Sequence, residues 1–199
     1  MHLNLDKTEK RPAAAFGICG SFCTLESILP ALRTLRGMGL DILPVMSGPA
    51  GTLDTRFGTA SFWRHSVEQI TGHPILDTLT AVEPLGPRGL ADCMIVAPCT
   101  GTTLARLDLG LSDTPVTLAA KSLLRIHKPV VVAVSTNDGL GASAQHIAAL
   151  FNRKDFYFVP FGQDDPDKKP MSLKADLTLL PDTLKLALQG RQIQPVLTK

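Results

Sequence analysis

Five short runs of apolar residues, most of them without polar alternation, constrain this chain more than any other feature. Ala13 to Ile18, Leu40 to Met46, Asp92 to Ala97, Pro129 to Val134 and Phe156 to Pro160 read as strands. A strand that is apolar on both faces has to be covered on both, which is the position of a strand in a parallel sheet between two helix layers. Helix-period segments separate the runs. Leu25 to Leu35 places Leu25, Ile28, Leu29, Leu32 and Leu35 on one face, and Ala60 to Ile70, Thr102 to Leu109 and Leu177 to Leu188 behave similarly. Right-handed crossovers then predict an α/β fold: a doubly wound, mostly parallel sheet in a Rossmann-like or flavodoxin-like three-layer arrangement. Further strands are expected around Ile75 and Leu79. The polar, charged stretch Gly162 to Lys169 is expected to be a loop over a cleft, or over the cleft of an adjoining protomer. Residues 1–12 read as an N-terminal tail and 13–199 as one domain.

Composition excludes several classes. Twenty basic against 18 acidic residues leave +2, and the Lys and Arg are scattered, so nothing points to nucleic acid. The first residues are polar and no apolar run approaches the roughly 20 residues of a membrane span, so a cytoplasmic protein is expected. Cys19, Cys23, Cys93 and Cys99 fit no common zinc spacing, and no metal is expected. Cys19, Cys23 and Cys99 fall at turns or helix starts, where a thiolate is favoured.

In a doubly wound sheet, ligands bind beyond the carboxyl ends of the strands. The residues that follow the runs are Gly20-Ser21-Phe22-Cys23-Thr24, Ser47-Gly48-Pro49, Pro98-Cys99-Thr100-Gly101-Thr102-Thr103 and Ser135-Thr136-Asn137-Asp138-Gly139. Hydroxyls, amides and glycines dominate them, a set that bonds an anionic or polar ligand without adding countercharge. The first turn, with Gly17, Gly20 and Ser21 ahead of a helix, suits a phosphate. It lacks the third glycine and the acidic strand end of a dinucleotide site, and the chain has no Gly-Lys-Ser/Thr P-loop. The alternative is a structural turn in which Ser or Thr caps the helix.

The same turns carry a family resemblance. Gly20-Ser21, the run from Ala97-Pro98-Cys99-Thr100-Gly101-Thr102-Thr103 to Leu107, and Ser135-Thr136-Asn137-Asp138 resemble the flavoprotein family of homo-oligomeric flavin-containing Cys decarboxylases. Thr55-Arg56-Phe57-Gly58, Ala81 to Pro87, Ser135 to Gly141 and Pro160 to Pro170 look like its dipicolinate synthase branch, the B component of that enzyme, over about Ala13 to Leu197. The resemblance implies flavin mononucleotide (FMN) at the strand ends, commonly where protomers of a trimer-based homo-oligomer meet. By position, Gly20, Ser21 and Ser47 would contact the phosphate and ribityl chain. Pro98, Thr100, Thr102 and Thr103 would line the flavin, with Ser135 and Asn137 on the opposite rim.

Two departures matter. Thr102 stands where many relatives have asparagine, and a hydroxyl cannot replace an amide's paired donor and acceptor. That sets an expectation of weaker flavin binding or of an empty cleft. Decarboxylating relatives carry a histidine shortly before the third strand; Val82 to Leu90 has none, and His2, His65, His73, His127 and His146 all lie outside the strand-end turns.

For this branch the resemblance implies an oxidoreductase component of sporulating bacteria that helps dehydrogenate a dihydrodipicolinate precursor to pyridine-2,6-dicarboxylate. A separate A subunit, resembling a nicotinamide-dependent dehydrogenase, would carry NADP. A dicarboxylate calls for cations, and Arg56, Lys168 and Lys169 are the candidates in the branch-specific segments, Arg56 first because it lies outside a charge run. Glu83 is a candidate base or a simple turn residue. An autonomous flavin-dependent decarboxylase and a non-catalytic partner with a vestigial flavin cleft are the alternatives.

Overall fold

Every residue of β1 (Ala13–Ile18) is buried, as befits the centre of a covered sheet. The computed structural model describes residues 11–198, so residues 1–10 of the expected tail lie outside the described residues. β1 pairs in parallel with β2 (Asp41–Met46) on one side and β3 (Cys93–Cys99) on the other, and β3 pairs with β4 (Val130–Thr136). β5 (Phe156–Phe158) continues the parallel sheet along Val130 to Val132. The resulting order, β2-β1-β3-β4-β5, is flavodoxin-like.

The far edge of β4 is divided. Past β5, Ser135 and Thr136 pair antiparallel with β7 (Lys169–Ala175), which forms a hairpin with β6 (Phe161–Asp165). The stretch expected to be a loop is therefore mostly strand. Its polarity misleads because β6 and β7 lie at the sheet margin, where charged side chains face solvent and the cleft while Leu173 and Ala175 are buried.

Opposite crossovers place helices on both faces. On one side run α1 (Leu25–Gly37), α2 (Gly48–Thr52), α3 (Ala60–Thr71) and α8 (Leu180–Ala187). On the other run α4 (Leu79–Val82), α5 (Gly101–Leu109), α6 (Pro115–Leu124) and α7 (Ala144–Phe151). Threonine caps recur: Thr59, Thr78, Thr100 and Thr114 each accept a backbone N–H of the following turn. Thr78 explains one miss. Its cap starts α4 at Leu79, so the strand expected there is a helix, and Leu76 contributes only a single parallel bridge to Val45. Among the described residues no helix is long and apolar enough to cross a membrane.

Gly17 also differs from expectation. It sits inside β1 rather than in the turn, and a Cβ there would lie 2.7 Å from Met94 Cε and 2.8 Å from Val116 Cγ1. Its role is close packing of α6 onto the sheet.

Candidate functional site

The turns after β1, β3 and β4 converge with the Thr55–Gly58 turn and the hairpin on one cleft of about 670 Å³. It lies beyond the carboxyl ends of the central strands, the position a doubly wound sheet reserves for ligands. Gly20, Ser21, Thr100, Thr102, Ser135 and Asn137 line it, as do Arg56 and Lys169.

The first turn is not a capping turn. Ser21 makes no side-chain cap to the short 3₁₀ turn that follows, and Thr24 makes none to α1. Their hydroxyls instead reach across to β4: Ser21 Oγ is 2.9 Å and Thr24 Oγ1 2.8 Å from Ser135 Oγ, with 3.3 Å between Ser21 and Thr24. Three hydroxyls thus form one mutually hydrogen-bonded cluster at the cleft. The other donors come from α5. Thr100 caps that helix by accepting from Thr103 N–H at 3.3 Å, which leaves the N–H groups of Gly101 and Thr102 without intrahelical acceptors at the cleft. They lie at the positive end of the helix dipole.

Gly101 has a second function. A Cβ on it would lie 2.3 Å from Ser143 Oγ and 2.8 Å from both Asp138 Oδ1 and Thr136 Oγ1. The start of α5 therefore abuts the turn after β4, with no room for a side chain between them. Asp138 ties that turn down by accepting from the hydroxyls of Thr136 and Ser143, the latter at 2.7 Å. These bonds, Thr136 first, hold its carboxyl below the ordinary carboxylate value. A depressed carboxylate stabilises the fold above its unfolded pKa and loses that contribution as pH falls through the lower folded value. Asp138→Asn is expected to be less stable than the parent at neutral pH, with the gap closing below about pH 4 in chemical denaturation.

The remaining sequence candidates lie elsewhere. Ser47 caps α2, its Oγ accepting from Ala50 N–H at 3.4 Å. Pro98 is buried within β3. Thr103 is buried just beneath the cleft, 3.0 Å from Thr100 Oγ1 and donating to Cys19 Sγ at 3.3 Å. Lys168 is exposed in the hairpin turn, where its N–H donates to Asp165 Oδ1 at 3.1 Å, and its side chain is not part of the cleft wall. Glu83 is at the opposite end of the sheet. Its carbonyl accepts from Ser122 Oγ at 2.7 Å, near the end of α6 that leads into the start of β4.

Thr24, Asp138, Asp164 and Lys174 also line the cleft; Thr24 and Asp138 fall in the strand-end turns and Asp164 in the Pro160 to Pro170 segment, but none of the four is among the named candidates. Cys19 and Cys99 are not the thiolates their turn positions suggested. Burial pushes Cys19 up to about 11 and Cys99 well above its usual value, so both stay protonated at neutral pH. Cys23 is exposed in the cleft. Among the described residues no histidine lines the cleft, and no group of His, Cys, Asp and Glu could hold a metal ion.

The donor set fits FMN. Uncharged hydroxyls and helix-start N–H groups suit a phosphate and polyol, the apolar faces of Phe22 and Phe57 suit a ring, and the volume is that of an ordinary cofactor pocket.

The chain is similar along most of its length to known proteins. Residues 3–168 match the family described as Flavoprotein. The B subunit of dipicolinate synthase from Bacillus subtilis (strain 168) is 41% identical over 184 residues, 92% of this chain and 92% of that protein. The crystal structure of the corresponding B subunit from Bacillus halodurans C has a TM-score of 0.87 at 42% identity, covering 94% of this chain and 96% of that one. The FMN-dependent cysteine decarboxylase SpaF shares the fold at 21% identity, with a TM-score of 0.68 and coverage of 89% and 97%. With the family match spanning most of the sequence and a relative this similar along nearly all of both chains, the chain belongs to the flavoprotein family.

Proposed function

We propose that the chain is the B subunit of a dipicolinate synthase, dehydrogenating a dihydrodipicolinate precursor to pyridine-2,6-dicarboxylate during sporulation in the cytoplasm. Residues 13–199 act as one flavoprotein-type domain in a trimer-based homo-oligomer, and NADP belongs to a separate A subunit. One observation carries the reading for this cleft: an uncharged hydroxyl-and-amide cradle and the cations Arg56 and Lys169 line a single cavity. The first suits the phosphate of a flavin and the second the two carboxylates of the substrate. Similarity to B subunits along nearly the whole chain supports the assignment.

Aromatising a dihydropyridine ring removes a hydride and a proton. FMN, when bound, supplies a two-electron acceptor. The chain's own groups bind and orient: Ser21, Thr24 and Ser135 donate toward the phosphate, with the N–H groups of Gly101 and Thr102, while Arg56 and Lys169 hold the carboxylates. Glu83 takes no part from its place at the far end of the sheet. That no histidine among the described residues lines the cleft disfavours the decarboxylase alternative.

The test is direct. The purified chain is expected to take up FMN and show flavin absorption, and to yield dipicolinate when mixed with the A subunit, NADP and dihydrodipicolinate. A colourless protein that cannot be loaded with FMN would sink the flavin reading. Product formation by the A subunit alone at an unchanged rate would favour the non-catalytic alternative. Ser21→Ala is expected to weaken FMN several-fold, about 0.5–1.5 kcal/mol, in a flavin-fluorescence titration. An unchanged Kd would remove Ser21 from the cradle.

A further inference from the structure

The cations of the cleft are not equally available. Lys169 Nζ donates to Asp164 Oδ2 at 2.7 Å, and Lys174 Nζ lies 4.0 Å from Asp164 Oδ1. One carboxylate thus stands between two ammonium groups of β7. Its pairing with Lys169 depresses the Asp164 carboxyl and raises the Lys169 ammonium above its ordinary value. Arg56, which lines the same cleft, makes no ion pair among the described residues and rests over Phe57, 4.8 Å from the ring centroid.

Asp164 and Lys174 also border a second cavity of about 670 Å³, between α1, the hairpin and the start of α8. Ser27, Thr34 and Thr178 contribute hydroxyls to it. Its other carboxylate, Asp176, is already held by the Thr178 N–H and hydroxyl at 3.0 and 2.6 Å. Lys169 faces only the first cleft. Asp164 therefore has space beyond the first cleft, and a second cation, Lys174, that borders both cavities.

We propose that Asp164 is a place-holding carboxylate: a ligand carboxylate displaces it from Lys169, and Asp164 turns to Lys174 at the wall of the second cavity. This rests on the reading of the cleft as a dicarboxylate site, and it names the residue that sets how tightly the second carboxylate is held. The first carboxylate finds Arg56 free. The second must evict an occupant, and eviction is easy because the pair is weak: the Lys169 side chain is 57% exposed and that of Asp164 30%. If Asp164 stayed in place, a bound dianion would face a like charge. The exchange holds down affinity for a dicarboxylate product and so favours its release.

Calorimetric titration of the FMN-loaded protein with pyridine-2,6-dicarboxylate, glutarate and pyridine-2-carboxylate tests the exchange. Asp164→Asn is expected to bind the two dicarboxylates roughly three- to tenfold tighter, with the monocarboxylate changed less. Lys174→Ala is expected to weaken dicarboxylate binding in the parent and not in the Asp164→Asn background. Equal or weaker dicarboxylate binding by Asp164→Asn overturns the proposal, as does an undiminished Lys174→Ala effect in that background. No binding of either dicarboxylate to any form overturns it too. If glutarate tightens while pyridine-2,6-dicarboxylate binds neither form, the substrate assignment falls and the exchange stands.

Discussion

Arg56→Ala is expected to raise the KM for dihydrodipicolinate by one to two orders of magnitude, with kcat changed only a few-fold. Arg56 occupies a turn closed at both ends, Thr55 N–H donating to Gly58 O at 3.0 Å and Gly58 N–H to Thr55 O at 3.1 Å. The backbone is thus fixed while the guanidinium stays free of any ion pair among the described residues. A bidentate Arg–carboxylate contact is worth about 2–3 kcal/mol, which converts to that range of affinity. A contact made equally in the bound and reacting states moves KM and spares kcat. Arg56→Lys is expected to recover only part of the loss, because an ammonium is a point charge without the planar fork. Steady-state kinetics with the A subunit present decides the matter, and an unchanged KM takes Arg56 out of the substrate site.

Gly86→Ala is expected to give the largest loss of stability without touching the cleft. A Cβ on Gly86 would lie 1.9 Å from Ser122 O and 2.5 Å from Ser122 C, backbone atoms that cannot rotate away. Gly86 has ordinary helical dihedrals, φ −77° and ψ −62°, so the requirement is for space and not for an unusual conformation. The approach is cinched by Gly86 N–H donating to Ser122 Oγ at 2.9 Å and by Ser122 Oγ donating to Glu83 O. Forcing the segment off α6 costs about 3 kcal/mol, the upper end for overpacking. For a chain of this length that lowers Tm by about 6–12 °C. FMN affinity of the folded protein should be unaltered, since the contact lies at the other end of the sheet. A loss below about 1 kcal/mol would show that the segment yields without strain.

The parallel strands were legible because burial on both faces leaves no room for polar residues: β1, β3 and β4 appear in the sequence as apolar runs. The hairpin was hidden for the opposite reason. Its pairing is antiparallel and marginal, so it tolerates Gln163, Asp164 and Asp165 in β6, which resemble loop residues. Four helices, the short α2 and α4 and the longer α6 and α7, have no counterpart among the helices expected from the sequence. In α6, Val116, Thr117, Ala119, Ala120, Ser122 and Leu123 are all buried, so no polar face marks its period. Its start does carry a signal, because Thr114-Pro115-x-Thr117 forms a capping box with proline in the first turn.

The candidate site was legible where position alone decides it. Reading the residues after each strand reached Ser21, Thr100, Thr102, Ser135 and Asn137. It could not tell which neighbours turn inward. Ser47 and Thr103 occupy the same turns yet serve a cap and a buried contact, while Thr24 joins the hydroxyl cluster. Asp164 and Lys174 were out of reach because their position depends on the hairpin register, which pairs Gly162 with Lys174 and shifts between Gln163 and Asp165.

The divided edge of β4 separates the cleft into parts with different freedom to change. The hydroxyl cradle hangs on strands that run through the core, so altering it disturbs packing everywhere. The wall bearing Asp164, Lys169 and Lys174 joins β4 through only Ser135 and Thr136. On the function proposed above, sequence drift there would retune which acid is recognised, and at what affinity, while the hydroxyl half stays as it is.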